Sequence, residues 1–130
     1  MLVLWVWTAV NDRIARYRKG HQAERLSRLF LILKGYRPLA LRHKTKLGEI
    51  DLILSKGNRI IFCEVKARNE VAGGLEAISL KSQERIQRSA MRFVQQNPRY
   101  QNHDWRFDVV VVRPWRLPYH LKDAWRPSGV

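Results

Sequence analysis

The chain has 130 residues, 45% of them hydrophobic, and its 25 basic against 11 acidic side chains leave a net charge of +14. That length suits one domain with a real core, that apolar content excludes disorder throughout, and the charge points to a polyanion: DNA, RNA or an anionic membrane surface. The single cysteine, Cys63, excludes an intramolecular disulfide and any multi-cysteine zinc site, and fits a reducing, cytoplasmic setting.

The opening MLVLWVWTAV is apolar but falls short of the ~20 residues that a membrane span needs. It lacks a preceding basic region and a following small-residue cleavage site, so residues 1–12 read as an atypical apolar packing or interfacial segment. Were that segment a peripheral membrane anchor, vesicle binding would vanish on deletion of residues 1–10. A first helix is predicted from about Asp12 to Lys34, with Ala23, Leu26, Leu29, Phe30 and Leu33 as its apolar stripe and Gly35 as its stop. Glu24 falls off that stripe, on a line with Ser27, Arg28 and Leu31. LALRH, after Pro38, is a candidate strand.

GEIDLILSKGNRIIFCEVKAR, residues 48–68, reads as a β-hairpin turning at Gly57-Asn58, with glycine in the first, positive-φ position. If these two residues form the loop, Lys56 faces Arg59, and Leu54, Leu52 and Ile50 face Ile61, Cys63 and Val65 to make one apolar face. The other face then carries Ile53 opposite Phe62, Asp51 opposite Glu64 and Glu49 opposite Lys66. A Gly- and Ala-rich loop, NEVAGGLEA, leads into a second helix from about Ser79 to Gln96, ended by Asn97-Pro98. Ile86, Ala90, Phe93 and Val94 form its apolar side, and Lys81, Arg85, Arg88 and Arg92 its basic side. RFDVVVV, residues 106–112, is a continuous apolar run of the kind found in a central strand buried on both faces. Residues 114–130 are a basic, aromatic tail without a readable structure. The order helix, three strands, helix, strand defines a single α/β domain over residues 1–130, a central mixed β-sheet flanked by helices.

Two carboxylates directly opposite on antiparallel strands have Cβ atoms ~5 Å apart, and their charges repel by about 3 kcal/mol at an effective dielectric near 20. A divalent cation between Asp51 and Glu64 reverses the sign of that interaction, and hard oxygen ligands suit Mg²⁺ or Mn²⁺. Lys66, two residues beyond Glu64, is placed to hold an attacking water or to neutralise a developing anion. Two acids, a lysine and a metal are the parts of phosphodiester hydrolysis. The plain alternative is an ordinary Glu49–Lys66 ion pair with Asp51 as an edge charge. The Lys81, Arg85, Arg88, Arg92 stripe is either a solvated helix face or a set of phosphate contacts. Gln83 beside it is a weaker candidate for orienting a phosphate or water, and Glu76 either caps the second helix, approaches the metal or packs against the loop. Asp108 suits a local hydrogen bond or ion pair. The aromatics of RPWRLPYH and AWRP suit core or dimer packing, or stacking on unpaired bases. The histidines, His21, His43, His103 and His120, have no metal-ligand spacing and read as surface or packing residues.

Asp51 followed by Glu64-Val65-Lys66 resembles the PD-(D/E)xK nuclease signature. A longer set of motifs is more specific: Glu24 twelve residues before Tyr36, then GYRPLAL, GEIDLI, FCEVKAR, LEAI, Lys81 with Arg85, RFDVVVV and HLKDAW. Over roughly Gly20 to Trp125 the chain resembles the uncharacterised YraN-like bacterial family, itself similar to Holliday-junction resolvases. Ala23 and Ser27 stand where that pattern usually has glycine and alanine. The resemblance implies a restriction-endonuclease-like fold, Asp51 and Glu64 as ligands of Mg²⁺ or Mn²⁺, Lys66 as the catalytic lysine and Glu24 as an accessory acid. It implies a metal-dependent endodeoxyribonuclease acting on branched or damaged DNA, and by analogy a homodimer. The alternative is a non-catalytic nucleic-acid-binding protein of the same fold.

Overall fold

The computed structural model describes residues 21–46 and 48–127. The apolar first segment, the predicted first helix before residue 21 and the last three residues of the tail lie outside them. From residue 21 to 33 the chain is helical, and we label this stretch α1. It ends in a Schellman motif: Gly35, at φ +94°, donates to the Ile32 carbonyl, and Tyr36 donates to that of Leu31. Three strands follow, β1 (Arg37–Thr45), β2 (Gly48–Lys56) and β3 (Arg59–Ala67). Then come α2 (Val71–Glu76), α3 (Leu80–Gln96), a short 3-10 turn, β4 (Asp104–Val112) and β5 (Tyr119–Trp125).

The five strands form one sheet in chain order, β1-β2-β3-β4-β5. The β3–β4 pair is parallel and the other pairs are antiparallel, so the sheet is mixed. A parallel pair needs a crossover connection, and the two helices supply it. The predicted order is therefore present, with two additions. The Gly-rich loop contains α2, where a Cβ on Gly74 would lie 2.5 Å from a Val111 methyl, so glycine lets this short helix lie on β4. The tail contributes β5, whose alternation is masked by a register irregularity against β4.

The hairpin turns at Gly57, φ +60°, and its register is the expected one from Lys56 opposite Arg59 to Leu52 opposite Cys63. Beyond that point the expected pairing ends. Ile50 packs with Ile53, Phe62, Ile86 and Ala90 on the α3 side, while Leu52, Leu54, Ile61, Cys63 and Val65 pack with Leu31 on the α1 side. Ile50 is therefore not part of the apolar face read from strict alternation. The side-chain pattern of β2 reverses across Asp51. The adjacent strand breaks its own regularity there too, with Arg42 at φ +49°.

The α1 stripe also differs from expectation. Ala23, Ser27 and Leu31 are buried, whereas Leu26, Leu29 and Leu33 are exposed. Ala23 is buried as the stripe implied, but the buried line continues through Ser27 and Leu31 at every fourth position, and a pattern that weights leucines overlooks the serine. The second helix agrees with its sequence: Ser79 caps it by accepting the Ser82 N–H, and Ile86, Ala90, Phe93 and Val94 are its buried side.

Candidate functional site

Glu64 and Lys66 alternate along β3 with Cys63 and Val65, which face α1, and so project to the α3 side together with Phe62. Asp51 reaches them from β2. Its Oδ2 accepts the Val65 N–H at 2.9 Å, so a side chain takes over where the regular ladder has stopped. Asp51 and Glu64 are therefore not ladder partners as the simple register implied, yet their charges interact strongly.

Burial is the main cause that pushes the Glu64 carboxyl up to about 8; the Asp51 charge adds to it, opposed by Lys66 and by the Asp51 backbone N–H. Burial likewise raises Asp51, against the Val65 N–H and Lys66. One further observation bears on a ligand: Glu64 Oε1 is buried and has no hydrogen-bond partner among the described residues. No set of three His, Cys, Asp or Glu side chains among the described residues can enclose an ion by itself. Mg²⁺, however, is commonly held by one or two carboxylates plus water and substrate phosphate. The Asp51–Glu64 pair, with its orphaned oxygen, fits that requirement.

Glu24 belongs to the same electrostatic cluster, since its carboxyl is raised first by burial and then by the charges of Asp51 and Glu49. Its carboxylate accepts from Arg42 Nε at 2.7 Å, and Arg42 also meets the His21 ring. Arg42 is a residue that sequence reasoning missed, because an arginine in LALRH carries no signal until the strand bends it toward α1. Glu49 is exposed and faces Lys44 across β1, and no Glu49–Lys66 ion pair forms among the described residues.

Lys81, Arg85, Arg88 and Arg92 are all exposed on α3. A Cβ on Gly48 would lie 3.2 Å from Arg85 Cβ, so the stripe passes beside the first residue of β2, three residues before Asp51. Gln83 points back to its own helix start, where its amide approaches the Ile78 carbonyl, and Glu76 is exposed at the end of α2. Among the described residues neither joins the carboxylates through a hydrogen bond.

A second polar cluster lies on β4 and β5. The Arg106 guanidinium donates twice to Asp108, at 2.8 Å each, and also to the Tyr36 hydroxyl. His120 Nε2 lies 2.6 Å from Asp108, and the Asp123 N–H donates at 3.0 Å. Asp108 can only accept here, so the ring proton is on Nε2 and His120 Nδ1 receives Lys34 Nζ at 2.7 Å. The expected local partner of Asp108 is present. His120, expected as a plain surface or packing residue, is instead a buried link in a charged chain.

The fold and site define an α/β protein whose mixed sheet carries a half-buried carboxylate pair and a lysine where two strands part. Residues 23–112 match the Uncharacterised protein family UPF0102, the YraN-like family, and the chain belongs to it. It is 45% identical over 113 residues to a UPF0102 protein of Mesorhizobium japonicum, covering 87% of this chain and 90% of that one. A UPF0102 protein of Parvibaculum lavamentivorans is 46% identical over 114 residues, covering 88% and 86%. One of Rhizobium leguminosarum is 44% identical over 120 residues, covering 89% and 98%. No helix among the described residues is long and apolar enough to cross a membrane.

Proposed function

We propose that the chain is a metal-dependent endonuclease that cleaves DNA phosphodiester bonds, with Asp51 and Glu64 holding Mg²⁺ or Mn²⁺. The observation that carries this reading is Glu64 Oε1, a buried carboxylate oxygen left without a partner beside a second carboxylate and a lysine. Such an atom costs about 1–3 kcal/mol if nothing satisfies it, and a divalent ion does. Once bound, the ion lowers the pKa of a coordinated water and neutralises charge building on phosphorus.

The remaining work falls to the chain itself. Asp51 is fixed by the Val65 N–H, which orients its second oxygen as a ligand. Glu64 must give up its proton to bind, so its displacement to about 8 makes the site most competent at mildly alkaline pH. Lys66 supplies an ammonium for the attacking water or the developing anion. Glu24, gripped by Arg42, is the accessory acid at the rim. The α3 arginines and Lys81 take phosphates flanking the scissile one.

The similarity to Holliday-junction resolvases favours branched or damaged DNA within a restriction-endonuclease-like fold, and a homodimer suits cutting of two strands. Labelled branched, flapped and single-stranded DNA, incubated with Mg²⁺ or Mn²⁺, tests the reading directly. Cleavage is expected for the wild type and a drop of about 100-fold or more for Asp51→Asn, with DNA binding retained. If the wild type cuts none of these substrates with either metal, the chain is a non-catalytic nucleic-acid-binding protein of the same fold.

A further inference from the structure

A cavity of about 630 Å³ opens at the other end of the sheet, against the starts of β3 and β4 and the end of β5. Arg59 stands in its wall; at ~3.3 Å per residue, Glu64 lies roughly 17 Å further along the same strand. The cavity is therefore separate from the carboxylate pair. Its size falls within the range of small-molecule sites, ~300–1,000 Å³.

The walls combine cations and aromatic rings with two carboxylates, Asp104 and Asp123. Arg59, Lys122 and Arg126 are exposed cations; Arg59 and Lys122 make no ion pair among the described residues, and Arg126 has only a loose contact with Asp123 at 3.3 Å. Beside them stand Trp105 and Trp125. Trp105 is 36% exposed and is braced edge-on against Phe62 at 5.8 Å. Trp125 lies over Phe107 at 5.3 Å between ring centres. The indoles are thus braced against core rings, and the cations line the same cavity. A smaller cavity of about 230 Å³ shares Arg59, Asp104 and Arg106 with the first and adds Lys56, whose ammonium sits 5.0 Å from the Tyr36 ring.

We infer that this end of the sheet is a binding site for an unpaired nucleotide, its base stacked on Trp105 and its phosphate held by Arg59 and Lys122. An aromatic face next to free cations matches a ligand that is flat, apolar and anionic at once. Duplex DNA presents phosphates but keeps its base faces covered, and an acidic peptide has no plane to stack. The exposed side of α3 carries the four cations with Glu84, Met91 and Gln95 beside them and no exposed ring, so it suits backbone phosphates without reading whether bases are paired. The nucleotide is presented by an unpaired stretch of a nucleic-acid strand. This inference does not rest on the proposed cleavage, because it concerns binding without metal.

The experiment is fluorescence anisotropy of the full chain in EDTA with labelled oligothymidylate, an abasic strand of equal length, and a duplex. Trp105→Ala is expected to weaken oligothymidylate binding about fivefold or more while leaving abasic and duplex affinities within about twofold. Trp105→Phe, which keeps the packing on Phe62, is expected to retain most of the affinity and guards against a folding defect. Arg59→Glu with Lys122→Glu is expected to cost about tenfold on single strands, and Arg88→Glu to weaken single strands and duplex alike. An equal loss on all three ligands for Trp105→Ala, or no loss on any, overturns the inference. So does a free mononucleotide that competes with the strand at equal affinity, since the ligand is then a free nucleotide.

Discussion

Half-buried Glu64 on β3 and fully buried Asp108 on β4 are acids on neighbouring strands, with Cys63 directly beside Asp108 and Glu64 beside Val109. Their surroundings move them in opposite directions. Burial raises Asp108, but the His120 and Arg106 hydrogen bonds and the Asp123 N–H outweigh it and hold the carboxyl below its ordinary value. Glu64 is also raised by burial, has a like charge from Asp51, and keeps an oxygen with no partner among the described residues. A buried acid with every lone pair engaged stabilises a fold; a buried acid left short of partners is held in place by its neighbours and is open to a ligand. That contrast separates the structural cluster from the candidate site more clearly than sequence position does.

The comparison can be broken most forcefully at Asp108. Asp108→Ala leaves the Arg106 guanidinium and His120 without their acceptor, and removing one member of a buried pair costs about 3–5 kcal/mol. Chemical denaturation should show that loss, and a midpoint unchanged from wild type refutes the structural role.

Glu64→Gln should act in the opposite sense. Without metal at pH 8 it removes a poorly solvated charge and is expected to stabilise by roughly 1–3 kcal/mol, several degrees in a thermal melt. The pH profiles sharpen this further. Glu64 has a folded pKa above its ordinary 4.5, so its contribution to stability is present below about 4.5 and is lost as pH rises to about 8. Asp108 has a folded pKa below 3.8, so its contribution is present above that value and is lost as pH falls through the lowered one. Melting curves of wild type and Glu64→Gln from pH 4 to 9 should converge at the acidic end and separate toward pH 8.

Mn²⁺ should then reverse the Glu64 penalty. Saturation at about 100 times the dissociation constant adds about 2.7 kcal/mol, and the gain should vanish in EDTA and in Asp51→Asn. A melt indifferent to Mg²⁺ and Mn²⁺ argues that the Asp51–Glu64 pair holds no ion. The smallest effect is expected on α3. Arg88→Glu should weaken duplex binding modestly and lower the salt dependence by about one unit in log–log slope. An unchanged slope makes the stripe a solvated face.

Much of this molecule was legible in its sequence because the decisive cues were local. Gly57-Asn58 dictates a two-residue reversal, and the reversal dictates the register of the five residue pairs next to it. Ser79, Asn97 and the apolar spacing between them delimit α3 without reference to the rest of the chain. Gly35 ends α1 for the same reason, since it can take the left-handed conformation. The acidic and basic residues of the candidate site stand in one short stretch and carried their own resemblance.

What tertiary structure alone decided involves partners far apart in the chain. Whether Ser27 and Leu31 or Leu26 and Leu29 face inward depends on how closely α1 can approach the sheet, which no periodicity states. The reversal across Asp51 goes with its carboxylate capturing the Val65 N–H and with Arg42, on the adjacent strand, taking φ +49°. The chain from Lys34 through His120 to Asp108 joins residues up to 86 positions apart. Turns and caps are set by the few dihedral angles nearby, and the sequence therefore determines them; burial and pKa are set by everything packed around a group, and only the folded chain supplies that.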